Sequence, residues 1–145
     1  MNATGDGCPI CARVASASEP TGGWILRDSL WSVCVADGFE VPGWVFVELN
    51  RHAEGPWSLE PAEAATLGPL LTQVSQAVRS VTGAERVYWM AYGELMPHFH
   101  VLVAPRLPHA PPEQRGPALF GARADLVDLD RAAAVAADLR AALSG

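Results

Sequence analysis

The chain has 145 residues, of which 50% are apolar and 18% are charged, and this composition is typical of one compact soluble domain. Its formal net charge is −6 and its basic residues form no cluster, which argues against a nucleic-acid partner. The sequence has neither an apolar run of roughly 18 residues, as needed to cross a bilayer, nor a signal-peptide pattern at its start, so we expect a cytoplasmic protein with no membrane partner.

The first part of the chain predicts three short strands. Apolar and β-branched residues cluster over 23–28, 30–36 and 43–49, as they do in half-buried strands. The segment "ADGFEVPG" between the last two runs contains turn-forming residues, which favours an antiparallel arrangement of these strands.

A long amphipathic helix follows, in "SLEPAEAATLGPLLTQVSQAVRSVTG". Pro61 suits the first helical turn, where its missing N–H costs nothing, and Gly83 suits the exit. Gly68 and Pro69 are a local weakness at which the helix can kink. Apolar residues recur at three- and four-residue steps, so one face of the helix should pack on a core. These apolar residues are Leu67, Leu70, Leu71, Val74, Ala77, Val78 and Val81.

The rest of the chain predicts two more strands and a helical tail. The strands cover 85–93 and 97–105. The connection after them is too rich in proline for a regular sheet, but it can hold a short helix near 113–120. The alanine-rich end should be helical over about 129–143. This order of elements, over a single domain of residues 1–145, indicates an α+β fold with a mainly antiparallel sheet.

Two histidines stand close together in the last predicted strand, in "MPHFHVLVAPR" at residues 96–106. Because side chains alternate along a strand, His98, His100 and Leu102 share one face, while apolar residues fill the other. Near neutral pH an imidazole can be a nucleophile, a general base or a metal ligand. Taken alone, the motif more often means two partly exposed residues on a sheet surface, because short patterns occur by chance.

The cysteines divide into a pair and a single residue. An odd count of three in a chain without an export signal argues against a disulfide framework. Cys34 lies in an apolar alternating run and is predicted to be a small core residue. Cys8 and Cys11 have the two-residue spacing that lets both thiolates reach one metal. The same spacing also occurs in redox pairs and in unrelated thiols.

Several segments together resemble bacterial proteins of the histidine-triad (HIT) family. The stretch "HFHVLVAPR" is similar to the family signature His-φ-His-φ-His-φ-φ followed by Pro-Arg, in which φ is apolar, except that the third histidine is Leu102. The segments "CPICARV", "VPGWVFVELNRHAEG" and "VYWMAYGELMPHFH" are also similar and follow the family's order. The resemblance covers roughly residues 8–106 and implies a HIT-like fold with about five antiparallel strands, one main helix and a helical C-terminal extension over about 113–145.

The resemblance also implies an activity. The middle histidine of the family triad, His100 here, attacks the α-phosphate of a purine nucleotide conjugate and forms a nucleotidyl-histidine intermediate. The chain would then be a nucleotide hydrolase or nucleotidyl transferase, and family members usually pair as homodimers. A second register aligns Met96, His98 and His100 with the triad and makes His98 the nucleophile, but it leaves the trailing Pro-Arg out of place.

A structural zinc ion is implied by the same resemblance. Bacterial members complete the cysteine pair with a histidine after the third strand and with the first histidine of the triad. The zinc ligands would be Cys8, Cys11, His52 and His98. Such a Cys₂His₂ site is closed, so it stabilises the fold and has no open position for substrate.

Three residues near the predicted nucleophile bear on the substrate. Leu102 cannot donate the hydrogen bond of the family's third histidine, and Glu94 stands where many members have a polar residue that contacts phosphate. Trp57 lies just before the long helix and could border a pocket. Two other functions therefore stay open: a catalytically degenerate or repurposed zinc-stabilised binding protein, and an enzyme on a different substrate in a specialised pathway.

Overall fold

The computed structural model describes residues 5–16 and 18–145. Its centre is a five-stranded antiparallel sheet with the strand order β1-β2-β3-β5-β4. The predicted α+β class and five-stranded sheet are confirmed. The strands are β1 (Leu26–Arg27), β2 (Trp31–Val35), β3 (Val45–Leu49), β4 (Arg86–Met90) and β5 (His100–Arg106).

In the part of the chain that the structure describes, four α-helices accompany the sheet. They are α1 (Pro9–Ala15), α2 (Pro61–Thr82), α3 (Ala118–Gly121) and α4 (Leu129–Ser144). Short 3₁₀ turns cover Pro56–Ser58, Pro112–Gln114 and Arg123–Leu126. Within residues 5–16 and 18–145, none of the helices is both long and apolar enough to span a membrane.

The ends of α2 follow the sequence signals. Pro61 opens the helix, and a capping box joins Glu60 to Glu63, so the first-turn N–H groups gain side-chain acceptors. Gly83 ends the helix in the left-handed region at φ 74°, which a residue without a Cβ adopts at little cost. The helix continues as one element through Pro69.

One face of the sheet carries the main core. Alternate residues of the strands, together with Phe99 just before β5, pack against α2 and α4, as the period of two in the strands and of 3.6 in the helices requires. The strand residues on this face include Trp31, Val33, Val35, Val45, Val47, Leu49, Val101 and Val103.

The opposite face is only partly apolar. Its smaller cluster joins Cys34, Phe46 and Leu102 to Leu119 and Phe120 of the C-terminal extension. At the end of the strands nearer α1 the same face is polar, because Ser32, Glu48 and His100 lie opposite one another across β2, β3 and β5. The two faces thus differ in chemistry, and the predicted nucleophile lies on the polar end of the second one.

Candidate metal centre and active site

Two cysteines and two histidines come together beside the sheet. One ligand atom from each of Cys8, Cys11, His52 and His98 lies within 4.8 Å of the other three. The Cys11 Sγ to His52 Nδ1 distance is 3.3 Å, the Cys8 Sγ to His98 Nδ1 distance is 3.4 Å, and the two Nδ1 atoms are 3.1 Å apart. A tetrahedral zinc site has Zn–S near 2.3 Å and Zn–N near 2.0–2.1 Å, which gives ligand separations of roughly 3.3–3.8 Å. The donor set and its spacing fit zinc.

The local structure holds each ligand in place. Cys8 caps α1, and its Sγ accepts a hydrogen bond from the backbone N–H of Cys11 at 3.4 Å. Pro9 opens the helix, where its fixed φ suits the first turn. His52 follows β3 and His98 precedes β5. One N-terminal segment and the ends of two paired strands therefore converge on one point.

The orientation of His98 is set by a backbone carbonyl. The ring is fully buried, and its Nε2 lies 2.6 Å from the carbonyl oxygen of Leu49. A carbonyl only accepts, so Nε2 carries the proton and Nδ1 is left to face the thiols. Burial lowers the pKa of His98, which favours the neutral form that binds a metal.

The thiol pair is suited to a bound cation. Burial, together with the hydrogen bond and charge of Cys8, raises the pKa of Cys11 to about 11. Without a metal such a thiol stays protonated at neutral pH and is a poor nucleophile. A metal ion displaces the protons and supplies the positive charge that the site otherwise lacks.

Gly5 is a part of this centre that sequence reasoning missed. Its φ is +84°, and a Cβ at this position would lie 2.8 Å from Cys11 Sγ and 3.3 Å from the His52 ring. Its carbonyl accepts a hydrogen bond from Cys8 N–H at 2.9 Å. The chain can pass this close to the ligands only because the residue has no side chain. The signal in the sequence is the Gly-Asp-Gly that precedes Cys8.

His100 is oriented in the opposite sense to His98. Its Nδ1 lies 2.6 Å from the carbonyl oxygen of His98, so Nδ1 is the protonated nitrogen and Nε2 keeps its lone pair. The Phe46 ring meets the imidazole edge to face, with 4.9 Å between the ring centroids. The ring is half-buried and borders two cavities, which is the arrangement that a histidine nucleophile needs.

The first cavity beside His100 is apolar and encloses about 280 Å³. Leu102, which is 3% exposed, forms part of its wall, and Phe120 of α3 closes it from the C-terminal extension. Sequence reasoning assigned no role in the site to that extension. The other lining residues are Phe39, Phe46, Met90, Tyr92, Gly93, Glu94, Leu95 and Met96.

The second cavity is smaller, at about 210 Å³, and is more polar. Trp57, Glu54, Tyr92 and Glu94 are among the residues that line it. Glu94 and His100 border both cavities, so the structure brings Glu94, Leu102, Trp57 and His100 to one region. Among the described residues, no arginine lines either cavity. Arg106 lies at the far end of β5 and pairs with Glu85 at 3.3 Å.

A buried ion pair lies beneath His100 and was not predicted. Glu48 is 0% exposed. Its Oε1 lies 2.5 Å from Nη2 of Arg13, a residue of helix α1. Burial raises the pKa of Glu48, while the hydrogen bond and charge of Arg13 oppose that rise. Arg13 also reaches Asp37 at 3.0 Å. The signal in the sequence is a single glutamate inside the apolar run "VFVEL".

Cys34 lies in the core, as predicted. It is 0% exposed, and its Sγ lies 3.8 Å from Glu48 Oε1. Burial, with the Glu48 charge as the next cause, moves the pKa of this thiol upward. It is therefore an inert residue beside the ion pair, with no part in the metal centre.

Several solved structures with the same fold are histidine-triad proteins. A hypothetical histidine triad nucleotide-binding protein from Sulfolobus tokodaii superposes with a TM-score of 0.75 at 15% identity, over 94% of this chain and 92% of that one. A Zn-bound histidine triad family protein from Mycobacterium smegmatis gives 0.73 at 19% identity, over 96% and 94%. A histidine triad protein from Bradyrhizobium japonicum gives 0.69 at 23% identity, over 83% and 89%.

The sequence comparisons add no closer relative. No protein-family model matches the chain, and no curated protein does. The chain therefore has the histidine-triad fold, and its activity has to be argued from its own residues.

Proposed function

We propose that the protein is a nucleotide-binding hydrolase or nucleotidyl transferase that acts at the α-phosphate of a purine nucleotide conjugate, with His100 as its nucleophile. The observation that carries this proposal is the hydrogen bond from His100 Nδ1–H to the His98 carbonyl at 2.6 Å. That bond leaves the Nε2 lone pair free at the junction of two cavities. The nucleotide-binding neighbour from Sulfolobus tokodaii supports the ligand class.

The reaction has two steps. The Nε2 lone pair forms a bond to phosphorus while the leaving group departs with the electrons of its own bond to phosphorus. Water, or an acceptor in a transfer reaction, then attacks the phosphorus and returns the imidazole. Zinc supplies no chemistry in these steps, because a closed Cys₂His₂ site has no open position for substrate.

The cavities limit the substrate. The aromatic rings of Phe39, Phe46 and Phe120 line the first cavity and suit a purine base. Glu94 would repel additional phosphates, and the described cavity linings offer no arginine to balance them. A nucleoside monophosphate joined to a neutral or cationic group therefore fits this site better than a dinucleoside polyphosphate.

The test is a panel of adenosine and guanosine 5′-phosphoramidates, aminoacyl adenylates and dinucleoside polyphosphates. We expect turnover of the monophosphate conjugates, and a fall of about a thousandfold or more in His100→Ala, because loss of a nucleophile removes the covalent route. The variant should keep its metal and melting temperature, since His100 is only half-buried. Turnover that persists in the folded variant would exclude His100 as the nucleophile.

A second function, a zinc-stabilised binding protein without turnover, is favoured by Leu102. This residue is packed in the apolar cluster, and it cannot donate a hydrogen bond to a phosphate. Losing one donor to a charged transition state costs roughly 2.7–4 kcal/mol. Calorimetry with adenosine monophosphate separates the two functions, because a binding protein should bind the nucleotide while the panel shows no turnover.

We also propose a cytoplasmic homodimer joined at β4. This strand is at the edge of the sheet, and exposed edges tend to pair with another chain. Trp89 on this strand is 51% exposed and Tyr92 just beyond it is 62% exposed. Sedimentation equilibrium should give twice the chain mass, and Trp89→Glu should shift the equilibrium towards monomer. A wild-type protein that sediments as a monomer at micromolar concentration contradicts the proposal.

A further inference from the structure

We propose that Glu48 is a positioning residue for His100, and that its buried carboxylate, held by Arg13, stabilises the positive charge that the imidazole gains when Nε2 forms a bond. This inference rests on the proposed role of His100 as a nucleophile. It concerns a residue that lines neither of the two cavities beside His100.

The register of the sheet places the two residues side by side. Glu48 on β3 is the direct partner of His100 on β5, and both belong to the face opposite the main core. Directly opposed residues of an antiparallel pair have Cβ atoms about 4.5–5.5 Å apart. Glu48 is fully buried and borders neither cavity, so any effect on the reaction must act through His100.

Arg13 pairs with this carboxylate and orients it. Its Nη2 and Nε both lie within hydrogen-bond distance of Glu48 Oε1, at 2.5 Å and 3.2 Å. Nε is also 3.4 Å from Oε2. A carboxylate held by a guanidinium at several points has little freedom to rotate. Arg13 and Cys11 lie on the same helix, α1. The metal centre therefore fixes the helix from which Arg13 reaches Glu48.

Packing alone does not explain the pair. Replacing a buried ion pair by well-packed apolar residues is often neutral or stabilising, and the neighbouring position on this face of β3 is the apolar Phe46. A buried charge pair directly beside a half-buried histidine therefore points to an electrostatic role at that histidine.

The chemistry of the ring supplies the reason. When the Nε2 lone pair forms a bond to phosphorus, Nδ1 keeps its proton and the imidazole becomes a cation. The His98 carbonyl contributes only a partial negative charge, through the bond at 2.6 Å. The Glu48 carboxylate adds the negative end of its ion pair with Arg13, in a region shielded from water, where charges interact more strongly than in solvent.

The chain contains a matched control for the experiment. Glu63 at the start of α2 is also buried, at 2% exposure, and pairs with an arginine, since its Oε1 lies 2.8 Å from Nη2 of Arg51. It borders neither cavity. Glu63→Gln therefore perturbs a buried glutamate–arginine pair without changing the surroundings of His100.

The test measures the reactivity of His100 independently of any substrate. Diethyl pyrocarbonate acylates the free imidazole nitrogen as ethyl carbonate leaves, and the ring is cationic until Nδ1 loses its proton. Mass spectrometry of the digested protein gives the rate at each histidine. At pH 8, above the ordinary histidine pKa of about 6.5, we expect Glu48→Gln to slow acylation of His100 roughly ten- to hundredfold. Exposed His109 serves as the internal reference, and Glu63→Gln should leave the ratio unchanged.

A second variant covers the case in which Glu48→Gln leaves Arg13 unpaired and the protein unfolds. Arg13→Met with Glu48→Leu removes both charges and fills the space with apolar groups. If this folded variant acylates His100 at the wild-type rate, the inference is wrong. If the variants slow acylation but the wild type turns over no nucleotide conjugate, the inference stands and the proposed function fails. With an active wild type, kcat should fall in the variants while the Kd for adenosine monophosphate stays constant.

Discussion

His98 and His100 are two residues apart, and the structure gives them opposite orientations. In His98 the nitrogen Nε2 donates to the Leu49 carbonyl, and Nδ1 faces two thiols. In His100 the nitrogen Nδ1 donates to the His98 carbonyl, and Nε2 remains free beside the cavities. The first ring is fully buried and the second is half-buried. Backbone carbonyls thus direct one imidazole towards the metal cluster and leave the other with a free nitrogen beside the cavities.

The difference shows why spacing alone could not assign the two roles. A His-x-His pair on a strand shares one face, but the tautomer of each ring depends on which nitrogen meets an acceptor. The two acceptors are the carbonyl of Leu49 on β3 and the carbonyl of His98 itself. Variants that remove one role and keep the other can test this division.

The largest effect should come from loss of the metal centre. In Cys8→Ser the site loses a thiolate, while the serine hydroxyl can still accept the capping hydrogen bond of α1, so we expect loss of bound zinc and a strong fall in stability. Structural zinc contributes apparent binding energies of about 10–16 kcal/mol in small zinc domains, which is as large as the whole stability of a typical domain. Metal analysis and thermal unfolding of the purified protein measure both effects.

Cys34→Ala is the matched control for this prediction. Cys34 is also buried, but it lies outside the metal cluster. Its loss should leave the zinc content unchanged. The free energy of unfolding should fall by only about 1 kcal/mol, because the substitution leaves a small cavity. Equal zinc content in Cys8→Ser and wild type would remove Cys8 from the ligand set.

Most of the fold could be predicted because local patterns decide it. The α2 and α4 helices have clear caps and periodic apolar faces, and α4 begins at the predicted Leu129. The strands also overlap the predicted ranges, although β1 is reduced to Leu26–Arg27 and β5 starts later than predicted and ends one residue beyond its range, at Arg106. The α1 helix was missed, because a helix of 7 residues is marginal by itself and is held here by Cys8 and the contacts of the metal cluster.

The candidate site was predictable in its residue types but only partly in its surroundings. Cys8, Cys11, His52 and His98 meet as the resemblance implies. The pairing of Arg13 with Glu48 joins residues 35 positions apart, so no local pattern could reveal it. The same holds for Phe120, which reaches the cavity only because the extension folds back over the sheet.

The smaller expected effect concerns Leu102, the next residue along the face shared with His100. In Leu102→His a third imidazole would enter the cavity wall beside the nucleophile, where it could donate a hydrogen bond to a bound phosphate. We expect kcat/KM on adenosine phosphoramidates to rise about ten- to hundredfold. The apolar packing around Leu102, which is opposite Phe46 and Met90, should make the variant less stable by roughly 1–3 kcal/mol.

Leu102→Phe is the control, because it places a ring without a donor at the same position. If the gain comes from hydrogen bonding, this variant should show no rise in kcat/KM, and any loss would measure the steric cost of a ring in the cavity wall. A folded Leu102→His protein with lower activity than wild type would contradict the register in which His100 is the nucleophile. The alternative register, with His98 as the nucleophile, would then require the buried ring to leave both the Leu49 carbonyl and the two thiols.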